Sequence, residues 1–198
     1  MPAPRPRVVL ASGSPRRLEL LTALGIDPIV RPPDLDEGVH AGESPVDYVA
    51  RLARAKVTVV AAQPDITPDD LVLAADTTVV LDGEIIGKPS DRADAAEILR
   101  RLSGRTHRVH TGLAAQLTGR VETAVIDTDV TFVSLSDDDI AWYVATGEPD
   151  DKAGAYGMQG TGTALVAAID GSPSNVIGLP LPALVELAAR LGVRLLQR

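Results

Sequence analysis

Apolar and polar positions along this chain alternate between two periods. Short apolar runs bounded by turn residues predict strands, and apolar residues recurring every three or four positions predict helices. Val8-Val9-Leu10-Ala11 predicts a buried strand, and Leu18-Glu19-Leu20-Leu21 after it predicts a helix. Between them Ser14 suits the N-cap and Pro15 the first helical position. Pro28 to Arg31 predicts a second strand, and Pro32-Pro33-Asp34-Leu35-Asp36-Glu37-Gly38 can only be a loop. Ser44-Pro45-Val46-Asp47 starts another helix. Val46, Val49, Ala53, Val57 and Val60 then recur at helical spacing, with Lys56 bordering that stripe.

Leu71 to Ala75 and Val79 to Leu81 read as strands separated by Asp76-Thr77-Thr78, and Asp82-Gly83 turns the chain into a returning Ile85-Ile86. Ser90 or Asp91 caps a helix that stops at Ser103-Gly104. Long β-rich segments follow at about 108–117 and 122–133, joined at Thr118-Gly119. Ser136 caps a helix closed by Gly147, and Asp150 to Gly162 is a mobile-looking, Gly-rich stretch. Leu165 to Ile169 predicts a strand, Pro182 to Leu191 a helix and Val193 to Leu196 a short last strand. This alternation predicts a layered α/β fold. With no repeat or clear linker, one domain over residues 1–198, with two lobes around a cleft, fits the pattern best.

Composition narrows the function more than the fold. The chain has 198 residues, 45% of them apolar and only 3% aromatic, so its core is built mainly from Ala, Val, Leu and Ile. A net charge of -8 argues against a duplex-binding face, and the shortage of stacking aromatics against a nucleic-acid module of any kind. A small phosphorylated ligand remains compatible, because a local pocket can be positive on an acidic protein. The absence of cysteine removes disulfides, zinc–thiolate sites and thiol nucleophiles. No signal-peptide stretch and no window near the roughly 18 apolar residues of a membrane span is present, which makes a cytoplasmic protein the expectation. Neither G-x-x-x-x-G-K-[ST] nor G-x-G-x-x-G occurs, which disfavours Walker-type and Rossmann sites.

Two features point to phosphate chemistry. Arg16 and Arg17 fall in a first helical turn, where the macrodipole disfavours cations unless an anion sits on the free N–H groups. Asp76 ends an apolar run, where a carboxylate is partly desolvated; read alone, it is as much a turn Asp bonding the amides of Thr77 or Thr78. Glu37, with Asp34 and Asp36, lies in an acidic loop and with Asp76 could hold a Mg²⁺-type ion. Lys56, Lys88 and Lys152 are the only lysines, and Lys88 is tethered between Gly87 and Pro89 as a candidate for stabilising a transferring phosphoryl group. His40, His107 and His110 have no ligand spacing and read as structural or surface residues. In 151–160, small residues surround Lys152, Tyr156 and Gln159, whose amide offers donors and an acceptor to a base edge.

The segments LASGSPRRLELL, LAADTTVVLDGEIIGKP, LSGRTHRVHTG, GEPDDKAGAYGMQG and GSPSNVIGLPL, in this order, resemble the Maf family of nucleoside triphosphate pyrophosphatases. The resemblance implies a mixed, twisted central sheet flanked by helices, related to the inosine triphosphate pyrophosphatases. It implies hydrolysis of a nucleoside triphosphate to the monophosphate and pyrophosphate, with Mg or Mn as divalent cation. By position, Asp76 looks like the proton acceptor, Glu37 like its metal-side partner, and Ser12, Arg16, Arg17, Lys56 and Lys88 like phosphate contacts. DKAGAYGMQG is similar to the branch favouring dTTP and UTP, in which Arg16, Thr77 and Gln159 stand at positions tied to base preference. Modified pyrimidine nucleotides are further candidates. Thr78 and Pro173 depart from the apolar and aromatic residues usual at those places. The family allows a homodimer, without support from a heptad or apolar stripe here. The same residues would also serve a nucleotide-binding regulator of cell division that senses rather than hydrolyses.

Overall fold

The apolar run that begins at Leu71 does not stop at Asp76. In the computed structural model, which describes residues 6–196, Leu71–Leu81 is one strand of 11 residues, β3. The expected break at Asp76-Thr77-Thr78 is therefore corrected. Neither Gly nor Pro interrupts this stretch, both threonines are β-branched and suit an extended chain, and Thr78 is buried.

The elements before β3 are β1 (Val8–Leu10), α1 (Pro15–Ala23), β2 (Ile29–Val30) and α2 (Pro45–Ala61). After it come β4 (Glu84–Ile86), α3 (Arg92–Leu102), β5 (Thr106–Leu117), β6 (Arg120–Phe132), α4 (Asp137–Ala145), β7 (Val166–Asp170), α5 (Pro173–Ile177) and α6 (Leu181–Arg190). The sheet runs β2-β1-β3-β5-β6-β7, with β4 on β3. It is mixed: β1 pairs with β2 and β3 in parallel, whereas β3–β4 and β6–β7 are antiparallel. This is the α/β architecture expected, a central sheet flanked by helices.

The chain divides into two compact units. One holds the residues up to Asp76, Thr111–Ile126 and those from Gly178 on; the other holds Thr77–His110 and Asp127–Ile177. In the first unit, neighbouring residues alternate between two apolar clusters, as period two demands. Leu10, Leu73 and Leu113 pack with Leu21 of α1 and Leu184 and Leu187 of α6. Val9, Val72 and Ala114 pack with Ala53, Val57 and Val60 of α2. Gly112 lets α2 come this close, because a Cβ there would overlap the carbonyl oxygen of Val49.

The core of the second unit gathers Val79 and Leu81 of β3, Ile98, Leu99 and Leu102 of α3, and Ile140 and Tyr143 of α4. His107, Phe132 and Tyr156 meet edge to face there, with centroids 4.8 to 5.3 Å apart. The Gly-rich stretch expected to be mobile forms short 3₁₀ turns at Glu148–Asp151, Ala153–Ala155 and Thr161–Leu165. It is held because Tyr156 is buried in the core and donates or accepts a 2.8 Å hydrogen bond with His107.

Two other expectations are corrected. Val193 to Leu196 is not a strand: the Val193 amide is taken by the Ala188 carbonyl at 2.9 Å as α6 ends, and Val193 and Leu195 are buried in the first unit's core instead. Ser14 stands at the N-cap of α1 without capping through its side chain; its amide bonds the Ser12 hydroxyl at 3.2 Å. The helix α5 was not legible as one, being a single short turn opened by Pro173.

Candidate functional site

Three elements of the first unit bring charged side chains to one place. α1 begins with Pro15, so Arg16 and Arg17 occupy its first turn, and no acidic residue offsets them there. Arg17 is fixed from two sides: Nε donates to the Gly178 carbonyl at 2.9 Å and Nη1 to Ser12 Oγ at 3.0 Å. Its desolvation lowers its pKa, partly countered by the negative charge of Asp76. The Ser12 hydroxyl accepts from both Arg17 and the Ser14 amide, and it keeps one proton to donate.

Asp76 enters from β3. Leu10 of β1 pairs with Leu73, so Asp76 lies three residues past the level at which β1 ends. Ligands in open α/β sheets gather beyond the carboxyl ends of such parallel strands. A side chain in mid-strand cannot also serve as a turn Asp, and that reading is withdrawn. Asp76 is 7% exposed as a residue, and burial is the main cause that raises its pKa above the ordinary aspartate value; Lys56 and Arg17 pull the other way.

α2 delivers Lys56, which the pattern placed at the edge of the buried face and which is in fact only 5% exposed. Its ammonium lies 2.6 Å from Asp76 Oδ1 and 2.7 Å from Glu37 Oε1. A buried ammonium needs such partners, since taking it from water alone is prohibitive. Glu37 reaches it from the loop between β2 and α2 with a half-exposed side chain.

That loop is gripped by α2 through residues the sequence reading passed over. Tyr48 Oη donates to the Glu37 carbonyl at 3.0 Å, and Arg51 Nη2 to the Gly38 carbonyl at 2.9 Å. Arg51 also pairs with Glu43, whose pKa it holds down at about 2. Desolvation, then the charges of Asp76 and Glu37, push Tyr48 up to about 12, which keeps the phenol a donor. A signal existed: Tyr48, Leu52 and Lys56 stand on one stripe of α2, four residues apart.

The structure thus brings together Ser12 with Arg17, and Glu37 with Lys56 and Asp76. Thr77, Lys88 and Gln159 belong to the other unit. Thr77 follows Asp76 on β3, Lys88 is exposed just beyond β4, and Gln159 is exposed between Gly157 and Gly160. Lys152 is engaged locally, by the Glu148 carbonyl at 2.6 Å and Asp151 Oδ1 at 2.7 Å. His107 and His110 are both buried and hydrogen-bond Tyr156 and Asp127 respectively.

Among the described residues no group of three or more histidines and acids forms a metal cage. Asp76 and Glu37 both reach the Lys56 ammonium, so two carboxylates stand near one point; one or two carboxylates completed by phosphate and water is a donor set that suits Mg²⁺.

A family model described as Maf-like protein matches residues 7–191. The chain belongs to the Maf family. A protein of Myxococcus xanthus named dTTP/UTP pyrophosphatase is 53% identical over 196 residues, covering 98% of this chain and 97% of the relative. One of Anaeromyxobacter dehalogenans with the same name is 52% identical over 191 residues, 94% of this chain and 95% of that one. A third, of Symbiobacterium thermophilum, is 48% identical over 186 residues, 94% of each chain. The Maf match runs through every residue of the site just described.

Proposed function

We propose that this chain hydrolyses dTTP and UTP to the nucleoside monophosphate and pyrophosphate. The observation that carries the reading is a buried carboxylate of raised pKa, Asp76, held by a buried ammonium beside an arginine-rich helix start. The names of relatives at about half identity supply the substrate.

In this reading the triphosphate lies at the start of α1, where Ser12, Arg16 and Arg17 and the free N–H groups meet its charge. Lys56 and Lys88 neutralise oxygens around the α-phosphorus. Asp76 takes a proton from the attacking water as its oxygen bonds to that phosphorus and the bond to the departing pyrophosphate breaks. Desolvation makes Asp76 a stronger base than an exposed aspartate, and Lys56 fixes the direction of its lone pairs. Glu37 and Asp76 would hold a Mg²⁺ or Mn²⁺, which when bound would draw negative charge from the phosphate oxygens. Thr77, Arg16 and Gln159 are assigned to base preference. No helix among the described residues is long and apolar enough to cross a membrane; a substrate drawn from the nucleotide pool is what supports reading the activity as cytoplasmic.

The test is pyrophosphate release from a panel of normal and modified triphosphates, with Mg²⁺, with Mn²⁺ and with chelator. Fastest turnover on dTTP and UTP, lost with chelator, is the expected result. Tight nucleotide binding with no pyrophosphate on any substrate would mark a sensor instead.

A further inference from the structure

The Gly-rich segment that carries Gln159 is wrapped around a single carboxylate. Glu148 Oε2 accepts from the Thr161 amide at 2.8 Å and the Thr161 hydroxyl at 2.7 Å. Its Oε1 accepts from the Gly162 amide and from Tyr143 Oη, each at 3.1 Å. Tyr143, whose residue is fully buried, in turn accepts from the Gly157 amide at 3.1 Å. Those four bonds favour the ionised form and hold the Glu148 pKa below its ordinary value against the opposing effect of burial.

The glycines are what allow the wrapping. A Cβ on Gly160 would overlap Glu148 Oε2, and one on Gly162 would come within 2.5 Å of Tyr143 Oη. Met158 packs against the apolar core, and its carbonyl accepts from the Thr163 hydroxyl at 2.9 Å. The main chain is therefore pinned on both sides of Gln159, which itself stays exposed.

We propose that Glu148 is a positioning residue for base selection, holding the turn 157–162 so that Gln159 meets the base edge at a fixed place. This rests on the reading of Gln159 as a base contact. A side-chain amide discriminates only if its donors and acceptor are held in register with the base, since a misplaced one leaves polar groups unpaired on both partners. A turn that drifts weakens binding of the preferred base while leaving the phosphate chemistry intact, so the loss falls on KM rather than kcat.

The experiment compares kcat and KM on dTTP, UTP and dGTP for the wild type, Q159A, E148A, E148Q and T161A. Melting curves and circular dichroism are run on each protein. E148A is expected to narrow the preference for dTTP over dGTP by about tenfold, mostly through KM, as one misplaced hydrogen bond warrants. E148Q keeps one acceptor and should recover part of that, and T161A, which loses one hydroxyl donor at an exposed residue, should show a smaller shift of the same kind. A folded E148A with unchanged preference, beside a Q159A that shifts it, overturns the role of Glu148 alone. An unshifted Q159A overturns the base reading beneath it. Should E148A fail to fold, E148Q and T161A decide, and equal losses on all nucleotides in both of them overturn the proposal.

Discussion

Asp76 carries two consequences of burial. As a base it must be ionised, so kcat/KM should fall as pH drops through its raised pKa, at a higher pH than an ordinary aspartate would give. Asp76→Asn should lower turnover by about 10² to 10⁴, the usual worth of general-base catalysis. Burial also makes the Lys56 ammonium dependent on this carboxylate, a cost that opposes any relief of desolvation, so the same variant should melt lower at pH 7 than the wild type. A variant that keeps its turnover would remove Asp76 from the role. His107 supplies the converse test. Burial lowers its pKa to about 4 from 6.5, and among the described residues its Nδ1 has no partner. The unfolded chain therefore takes up a proton first, and stability should decline from about pH 6.5 down to about pH 4. His107→Gln, followed by thermal melts across that range, should flatten the decline; an unaltered slope would assign the acid sensitivity elsewhere.

Elements explain why part of the site could be read beforehand. The start of α1, the cap of α2 at Ser44 and the turn at Asp82-Gly83 are local chemistry, and each stands where the pattern put it. The continuity of β3 was not legible, because a charged residue inside an apolar run looks like its end until Lys56 of another element is known to neutralise it. The clamp of Tyr48 and Arg51 on main-chain carbonyls was hidden for a like reason, since carbonyl acceptors have no sequence signature. Tyr48→Phe removes one hydrogen bond to the Glu37 loop and leaves the helix intact. It should raise the Mg²⁺ concentration needed for half-maximal activity and loosen Mn²⁺ binding measured directly, by about three- to tenfold for a net bond of ordinary strength. Unchanged metal dependence in both measurements would sever Tyr48 from Glu37. Gly112→Ala is expected to be severely destabilising, because the added methyl meets the main chain of α2 rather than a side chain that can turn away.

At the scale of the molecule, three of the four passages between the units lie inside strands, at Asp76–Thr77 in β3, in β5 and in β6. We propose on that ground that the chain unfolds as a single domain, giving one calorimetric transition; two separated transitions would contradict this. The net charge of -8 predicts no salt-dependent shift of duplex DNA at micromolar protein. The strand around Asp76 has a last consequence. It is paired to β1 up to Leu73 and to β4 from Val79, with Asp76 inside the extended run between them, which leaves the main chain little slack to draw back a longer side chain. A glutamate in its place would overshoot by a methylene with nothing to retract it, whereas a loop would yield. The disorder that a loop-borne carboxylate gives up at each encounter with ligand is surrendered here once, as the ribbon forms.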